Sequence, residues 1–599
     1  MHLRDNADPD VVVQLDRTTP PRGDAAEAAR LQARRRGFLA LNVVTIAALF
    51  AGMAYLLALG GLYFLEGLML LAYAATLPWL SIGFWNGVIG FAIAFRVKNA
   101  AVYVNPAVAR AQAGAPISSR IAIVMAIRHE QVDAFVARLE AMHLDIARSG
   151  YAAHFDFHVL SDSADADVAN AEEDAIAGWR RRAPKTVAIH YRRRTDNAGY
   201  KAGNIDEFCD RCRDDYDFFI PLDADSRMTS DAIFRLVRIM EASPEIGILQ
   251  GLVVGEASDA LFTRVFQFGM RHGMRSYTLG AAWWQGDCGP YWGHNAVIRM
   301  APFQQHCKMP VLPGKGPLSG YVLSHDQLEA AVMRKAGYEV RVLAEEDGSF
   351  EMNPPNLIEF IKRETRWCQG NMQYLKVLGM PGLLLTSRIQ LVLAILMYVN
   401  APAWILFITV GATMAIGTTQ FGAIPLALGL GQFAVVMAFN LMPKIMGVAQ
   451  SLSCNRSARS YGGRVRIAAG AVFEFAFSML IAPCVAVAVS LCCLGLLSGS
   501  RIRWPAQRRQ SAFLGFVEAA RTLWPQTLYG LALTGILAVY APWALIFGAL
   551  IVGPLTLAIP LASLSTLTHV GRWTKAAGLF SVPEEVLPPA LPHHQLSAA

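Results

Sequence analysis

Charge is what this chain has least of. Asp, Glu, Lys and Arg make up 17% of its 599 residues, against 54% hydrophobic ones, and the mean hydropathy is +0.34. One soluble domain has too little interior to hide so much apolar surface. The shortage is also uneven. Residues 98–385 carry the mixed charge of a globular domain, whereas both flanks hold long runs almost free of charge. The pattern excludes a simple soluble enzyme. It points to a polytopic membrane protein with one large soluble domain.

Paired cysteines are lacking too. Of nine, only Cys209 and Cys212 form a C-x-x-C, and no second Cys or His pair stands at zinc spacing to it. They read as reduced structural thiols, and Cys484, Cys492 and Cys493, inside an apolar run, as packing residues. This fits a reducing compartment around the soluble domain. A cleavable signal is absent, because the first apolar run starts too far in and is too long. There is no internal repeat and no low-complexity tract. Nor is there a basic stripe interleaved with aromatics, so the net charge of +7 does not mark a nucleic-acid binder. The basic residues flank apolar runs instead: Arg30, Arg34, Arg35 and Arg36 before the first, Arg501, Arg503, Arg508 and Arg509 after a later one. Cytoplasmic flanks collect Lys and Arg.

What is present divides as follows. Residues 1–37 form a polar, poorly ordered cytoplasmic segment, and 38–97 hold two transmembrane helices, at 38–61 and 67–95. Residues 98–385 are the soluble domain, and 386–570 a second membrane region. There, spans are expected at 389–416 and 421–443, then a basic loop over 444–466. The run 468–498 is awkward, because both its flanks are basic while one crossing would separate them. Pro483 suggests a break or a tight pair of segments there. An interfacial amphipathic helix is expected at 502–524, then two spans over 527–567 broken near Pro542, and a cytoplasmic tail over 571–599. Eight spans put both ends inside. Glu66, Lys444 and Glu474 are the few intramembrane charges, at or near span ends.

In the soluble domain, apolar β-type runs at 121–125, 155–160, 186–191 and 217–222 alternate with helical patterns at 133–149 and up to Arg182. Alternation of this kind argues for a mostly parallel sheet, with ligands beyond the carboxyl ends of the strands. Asp162, Asp223 and Asp225 fall at such ends. The last two can face one divalent cation that keeps open positions for diphosphate oxygens. The plainer alternative is a loop start with solvated carboxylates. Lys201-Ala202-Gly203-Asn204 could neutralise phosphate through Lys201 and allow close approach at Gly203, or be an ordinary turn. Ser324-His325-Asp326 opens a helical pattern after a Gly-rich loop. There Asp326 is either a helix cap or a general base for an attacking hydroxyl. Arg363 and Arg366 share a helical face and could hold a pyrophosphate, and Trp367 could stack on a sugar ring. A positive-inside cluster with an interfacial Trp is the alternative.

The order of these motifs carries more than any one of them. A strand-end Asp, K-x-G-N, D-x-D, a later Asp and R-x-x-R-W beside a membrane run resemble the processive family 2 glycosyltransferases of the membrane. Six longer strings narrow this to the glucans biosynthesis glucosyltransferase H family. They are Tyr191-Arg192-Arg193-Arg194, Gly203-Asn204-Ile205-Asp206, Leu222-Asp223-Ala224-Asp225-Ser226, Tyr291-Trp292-Gly293-His294-Asn295-Ala296, Ser324-His325-Asp326 and Arg366-Trp367-Cys368-Gln369-Gly370-Asn371.

The resemblance implies a polytopic α-helical membrane protein with an inserted cytoplasmic α/β GT-A glycosyltransferase domain. It implies an inverting glucosyltransferase of the bacterial inner membrane that polymerises UDP-glucose, with Mg2+ or Mn2+, into the β-1,2-linked backbone of osmoregulated periplasmic glucans and exports it. Asp162, Lys201, Asp223, Arg363 and Arg366 would bind the donor, Asp223 and Asp225 the metal, Trp367 and His294 the acceptor. Asp326 would be the catalytic base. The partners implied are UDP-glucose, the growing glucan, the bilayer, and as candidates a periplasmic glucan-processing protein and acyl carrier protein. Arg363 departs from the family 2 pattern, because cellulose synthases have Gln there. Ala126-Ile127-Arg128-His129-Glu130 replaces the usual Pro and Asn, and no F-x-V-T-x-K gating loop occurs. Arg128 and His129 have no assigned role. Two rivals stand: a synthase of another β-glucan linkage, and a non-catalytic nucleotide-sugar-binding transporter or receptor.

Overall fold

A computed structural model describes residues 25–416, 423–501 and 513–586. Helices α1 (Ala25–Ala58) and α2 (Phe64–Arg96) come first. Helix α1 starts well before the apolar run at Phe38, so part of the segment expected to be poorly ordered is folded. Docking explains it. Glu27 pairs with Arg341 at 2.7 Å, Arg35 pairs with Asp287, and Arg34 and Arg35 donate to the carbonyls of Trp283, Trp284 and Gln285.

The soluble domain runs α3 (Ala100–Val104), β1 (Ile121–Ile127), α4 (Val132–Ala147), β2 (Phe155–Ser161), α5 (Ala166–Arg182), β3 (Ala188–Arg193), α6 (Tyr200–Cys212), β4 (Phe218–Leu222), β5 (Arg227–Met228), α7 (Ser230–Glu241), β6 (Ile246–Gly255), α8 (Leu261–Gln285), β7 (Ala296–Arg299), α9 (Met300–His306), α10 (Asp326–Lys335), β8 (Glu339–Glu351) and α11 (Leu357–Met372). Its strands form one sheet in the order β3-β2-β1-β4-β7-β6-β8-β5. The first four are parallel, and β7 is antiparallel to both of its neighbours. Strand β1 is apolar at every position and almost wholly buried, as a central strand covered on both faces must be. Register sets Ile127 beside Ser161 and Met125 beside Leu222. The carboxyl ends of β1, β2 and β4 therefore emerge together, with Asp162 and Asp223 as the next residues. The domain is GT-A-like, as the motifs imply.

Local chemistry starts the helices. The Asp165 carboxylate caps α5 through the Asp167 and Val168 amides, at 2.9 and 3.1 Å, and the Asn356 side chain caps α11 through Glu359 at 2.9 Å.

The remaining helices are α12 (Leu385–Ala415), α13 (Ala423–Ser453), α14 (Asn455–Ser460), α15 (Arg464–Leu497), α16 (Phe516–Tyr540), α17 (Ala544–Thr556), α18 (Ala558–Leu564), α19 (Thr568–Ala576) and α20 (Pro583–Val586). Among the described residues five helices are long and apolar enough to cross a membrane: α1, α2, α12, α13 and α15. The pair α17–α18, bent by 63°, would add a sixth. The expected eight exceeds this.

Three boundaries differ from expectation. Helix α13 continues through Lys444, whose ammonium pairs with Glu474 of α15, so the basic loop begins only after Ser453. The run 468–498 is one helix with Pro483 inside it, because neighbouring helices can cover the freed carbonyl. Of the interfacial helix expected at 502–524, residues 502–512 lie outside the described residues, and the part from Phe516 belongs to α16. The chain turns at 541–543, next to the expected break at Pro542. In the tail, Glu584 and Glu585 pair with the buried Arg271 and Arg264 of α8.

Candidate active site

The K-x-G-N motif is not a turn but the first turn of α6. Lys201 Nζ pairs with Asp223 and also donates to the Gly293 carbonyl at 2.8 Å. Asn204 Nδ2 donates to Asp162 Oδ1 at 3.0 Å, and its own amide oxygen accepts from Arg192. A side chain at Gly203 would collide with the Ala198 carbonyl. Gly203 thus serves the packing of the loop on its helix, not approach to a phosphate.

Asp162 is buried and held on both oxygens. Arg194 grips it in a bidentate pair, Nη2 to Oδ2 at 2.9 Å, and Asn204 adds the third bond. Its loop is braced by His129, whose Nε2 accepts from the Ala164 amide at 2.9 Å while its own amide donates to Ser163 Oγ at 2.8 Å. His129 sits at φ 54°, a left-handed conformation that aims its ring along the loop. That gives it a structural role which its sequence position alone did not signal.

Asp223 and Asp225 are half-buried at the end of β4, with Ser226 in a turn: the Asp223 amide donates to Ser226 Oγ at 3.1 Å. Among the described residues no cluster of three or more His, Cys, Asp or Glu side chains could hold a metal alone. Asp223 and Asp225 alone could offer a divalent cation no more than two carboxylate groups, the number Mg2+ takes where substrate oxygens and water complete its shell.

The Y-W-G-H-N-A string brings the next wall. Asn295 donates to Ser349 Oγ at 2.9 Å and to the Phe350 carbonyl at 3.2 Å, tying the string to β8. His294 Nδ1 lies 3.2 Å from Ser226 Oγ, and Nε2 lies 3.4 Å from Glu351 Oε2. A Cβ placed on Gly293 would stand 3.4 Å from Asp326 Cβ and 3.9 Å from Lys201 Nζ. Gly293 is thus the joint at which the carboxylate strand end and Asp326 meet.

Asp326 is the first residue of α10; the N-cap residue His325 makes no side-chain cap, and the Asp326 carboxylate accepts from the Gln327 amide. Its loop is moored to α11. Tyr374 Oη donates to the Ser324 carbonyl at 2.8 Å, and Gln373 receives the Leu323 amide at 2.8 Å and donates to Tyr321 O at 3.0 Å. Gln369 donates to the Pro317 carbonyl at 2.9 Å. A Cβ on Gly370 would come within 2.9 Å of the Ser324 amide, so only glycine admits the loop there. These bonds explain why Gln369 and Gly370 follow the R-x-x-R-W residues.

Arg363 does not reach out as a phosphate clamp. Its guanidinium lies 4.6 Å over the Trp367 ring and near Phe360 and Phe266, and it pairs with Glu364 at 3.6 Å. It fixes the tilt of Trp367, which stays exposed, while Arg366 is half-buried.

Residues 218–419 match the family model described as glycosyl transferase family group 2. A glucans biosynthesis glucosyltransferase H of Caulobacter vibrioides is 35% identical, over 91% of this chain and 84% of that one. The chain belongs to the glucans biosynthesis glucosyltransferase H family. Relatives of that name from Cupriavidus pinatubonensis and Ralstonia nicotianae are 36% and 35% identical, over 93% of this chain and 66% of each relative. The chain therefore spans about two thirds of the length of these two curated relatives. A solved mannosyltransferase from Pyrobaculum calidifontis, PcManGT in complex with GDP-Man and Mn2+, is 12% identical with a TM-score of 0.42, covering 65% of this chain and 98% of that one. At that score it carries no argument.

Two acids of this family member are missed by motif reading, and a third, Asp206, stands in its motif string without a role. Glu351 backs His294. Burial pushes its carboxyl above the usual range against the pull of His294 and Arg363. Glu329, one turn into α10, meets His325 Nδ1 at 2.9 Å. Burial opposes a charged ring, but Glu329 overrides it and holds His325 above its ordinary value. Burial likewise raises Asp326, against the pull of His325 and Lys201. Asp206, which lines a cavity of about 370 Å³ beside Lys308 and Tyr321, is pushed up to about 7, chiefly by burial and then by Glu329. A carboxylate at position i+3 of a helix start is an ordinary dipole partner in sequence, so its coupling to His325 and Asp326 shows only in the fold.

Proposed function

We propose that this chain transfers glucose from UDP-glucose to a growing glucan with inversion. The product is the β-1,2-linked backbone of osmoregulated periplasmic glucans, passed across the bacterial inner membrane as it grows, with the soluble domain cytoplasmic. One observation carries the reading: Lys201, the partner of Asp223, and Asp326 meet at Gly293, Lys201 Nζ and Asp326 Cβ lying 3.9 and 3.4 Å from the point a Gly293 side chain would occupy. Inversion needs a leaving diphosphate on one face of the sugar and a base for the attacking hydroxyl on the other. Asp326, half-buried and raised, suits a base that takes a proton as the bond forms. Lys201 meets the diphosphate charge. Asp223 and Asp225 would hold the divalent cation, which when bound neutralises the leaving group. Trp367, its plane set by Arg363, offers an apolar face to the acceptor ring.

The test is purified full-length protein with UDP-glucose and Mg2+, followed by linkage analysis of the product. A β-1,2-glucan is expected. Another linkage would shift the reading to a related synthase, and UDP-glucose binding without any transfer would favour a binding protein. Asp225→Ala should weaken Mg2+-dependent donor binding about 10- to 100-fold, and unchanged Mg2+ dependence would remove Asp225 as a ligand.

A further inference from the structure

All nine cysteines lie among the described residues, and none is bridged. Cys368, on α11 next to Trp367, meets two others on α15. Its Sγ lies 3.6 Å from Cys493 Sγ, and it is hydrogen-bonded with Cys492 as well. Cys492 Sγ in turn lies 3.7 Å from the Thr365 carbonyl of α11. Cys209 and Cys212, the C-x-x-C of the sequence, share helix α6, so a link between them would join no two elements. Cys368 and Cys493 stand 125 positions apart, on different helices.

Access is uneven. Cys368 is buried, whereas Cys492 and Cys493 are half-buried. Cys492 lines a cavity of about 360 Å³ together with Ile361 and Thr365 of α11, Leu491 of α15, and Thr522 and Gln526 of α16. A small oxidant has room there beside the thiols. On the other side, α11 carries Arg363 and Trp367. Gln369, Gly370, Gln373 and Tyr374, on it or next to it, hold the loop of Asp326. Cys368 therefore sits one residue from the exposed Trp and one from the first mooring residue.

We infer that Cys368 and Cys493 form a site of reversible thiol oxidation, whose disulfide staples α11 to α15 and slows glucan growth. The site itself stands on the thiol geometry; only its effect on growth rests on the glucosyltransferase function proposed above. Hydrogen bonding with Cys492 and Cys493, then burial, holds Cys368 protonated above the ordinary thiol range. A hydroperoxide therefore reacts first at Cys493. The Cys493 sulfur takes one peroxide oxygen and becomes a sulfenic acid. The O–O bond breaks, and the other oxygen leaves with the thiol proton as an alcohol or, from hydrogen peroxide, as water. Cys368 then attacks the sulfenic sulfur. The S–S bond forms, the S–O bond breaks, and hydroxide leaves with the Cys368 proton as water. Two thiols have given two electrons to one peroxide. A dithiol reverses the link by exchange. In a reducing compartment such a pair stays open until oxidant arrives.

A disulfide closes to about 2.05 Å, so bonding draws the two helices together at Cys368 and fixes Trp367 beside it. A growing chain must shift by one sugar past Trp367 after each addition, and a stapled α11 resists that adjustment. The donor side, where Arg194 and Asn204 hold Asp162, lies on other elements and is left as it was.

The test uses purified full-length protein, reduced or treated with hydrogen peroxide, then blocked with N-ethylmaleimide and digested without reductant. Mass spectrometry should find the peptides of Cys368 and Cys493 joined, and dithiothreitol should separate them. The oxidised protein should lose most of its transfer, keep its UDP-glucose affinity, and show slower hydrogen exchange over residues 357–376. Cys493→Ser should form no link and keep its transfer under peroxide, whereas Cys492→Ser should still form the link. Absence of the joined peptide overturns the site. A link that persists in Cys493→Ser and vanishes in Cys492→Ser overturns the pairing. A joined peptide with exchange and transfer both unchanged overturns the staple. If the reduced protein transfers nothing, the proposed function fails, and the joined peptide and the exchange still decide the thiol site.

Discussion

The two halves of the candidate site are held by different means. On the donor side, side chains grip one another: Arg194 and Asn204 on Asp162, Lys201 on Asp223. On the acceptor side, main chain is moored. The loop carrying Asp326 hangs from Gln369, Gln373, Tyr374 and the gap at Gly370, all on or next to α11. Charged pairs fix position and neutralise charge together, so they suit a site for a diphosphate. A moored loop can be shifted by whatever moves its anchor. The acceptor side is therefore coupled to α11, and through Cys368 and Thr365 to the helix beneath it.

The largest effect expected from breaking this contrast is at the base. Asp326→Asn should lower transfer about 10²- to 10⁴-fold while UDP-glucose binding persists. Near-normal glucan synthesis would remove Asp326 from the role. On the donor side, Arg194→Ala strands a buried carboxylate and should cost roughly 3 to 5 kcal/mol of stability, read as a lower melting temperature with weaker donor affinity. If affinity falls and melting does not, Arg194 is a ligand contact rather than a strut. Gly370→Ala should push the Ser324 loop and lower kcat about 10-fold with donor affinity unchanged. A change confined to donor binding would contradict the moored-loop account.

The smallest effect is a displacement in pH. Asp326 is already held high by burial, and the nearby His325 cation pulls it down more than Glu329 pushes it up. Glu329→Gln strips His325 of the partner that keeps it charged. Asp326 then rises further and is protonated over a wider acid range. Lys201, Tyr291 and Tyr374 face Asp326 as well; the substitution also removes a charge that raises Asp206, Tyr291 and Tyr374. The acid limb of transfer should move to higher pH, with KM unchanged. A uniform loss at all pH values would count against the coupling.

Much of this was legible in the residues. The parallel half of the sheet follows from the alternating apolar runs, and Asp162 and Asp223 fall at strand ends because the apolar residues stop there. The ordered motifs then carried the family. What local pattern could not give was partnership. Lys201 looked like a phosphate ligand, yet it pairs with Asp223. Arg363 looked like a clamp, yet it stacks on Trp367. Glu329, Glu351 and His129 carried no motif, because each acts through a neighbour distant in sequence or on the next helical turn.

The sequence by itself determined which stretches must leave water, and the order in which the chemistry-bearing residues meet the strand ends. Composition measures how strongly a segment avoids water, and that is the same whether the segment pierces a bilayer or lies under a domain. Only the tertiary structure brought both ends of Arg464–Leu497 against the soluble domain. Contact at both of its ends, through Tyr461 and Arg501, is a relation between parts of the chain that are far apart in sequence. The same holds at Gly293, where the strand end at Asp223 and the helix start at Asp326, 103 positions apart along the chain, are brought together.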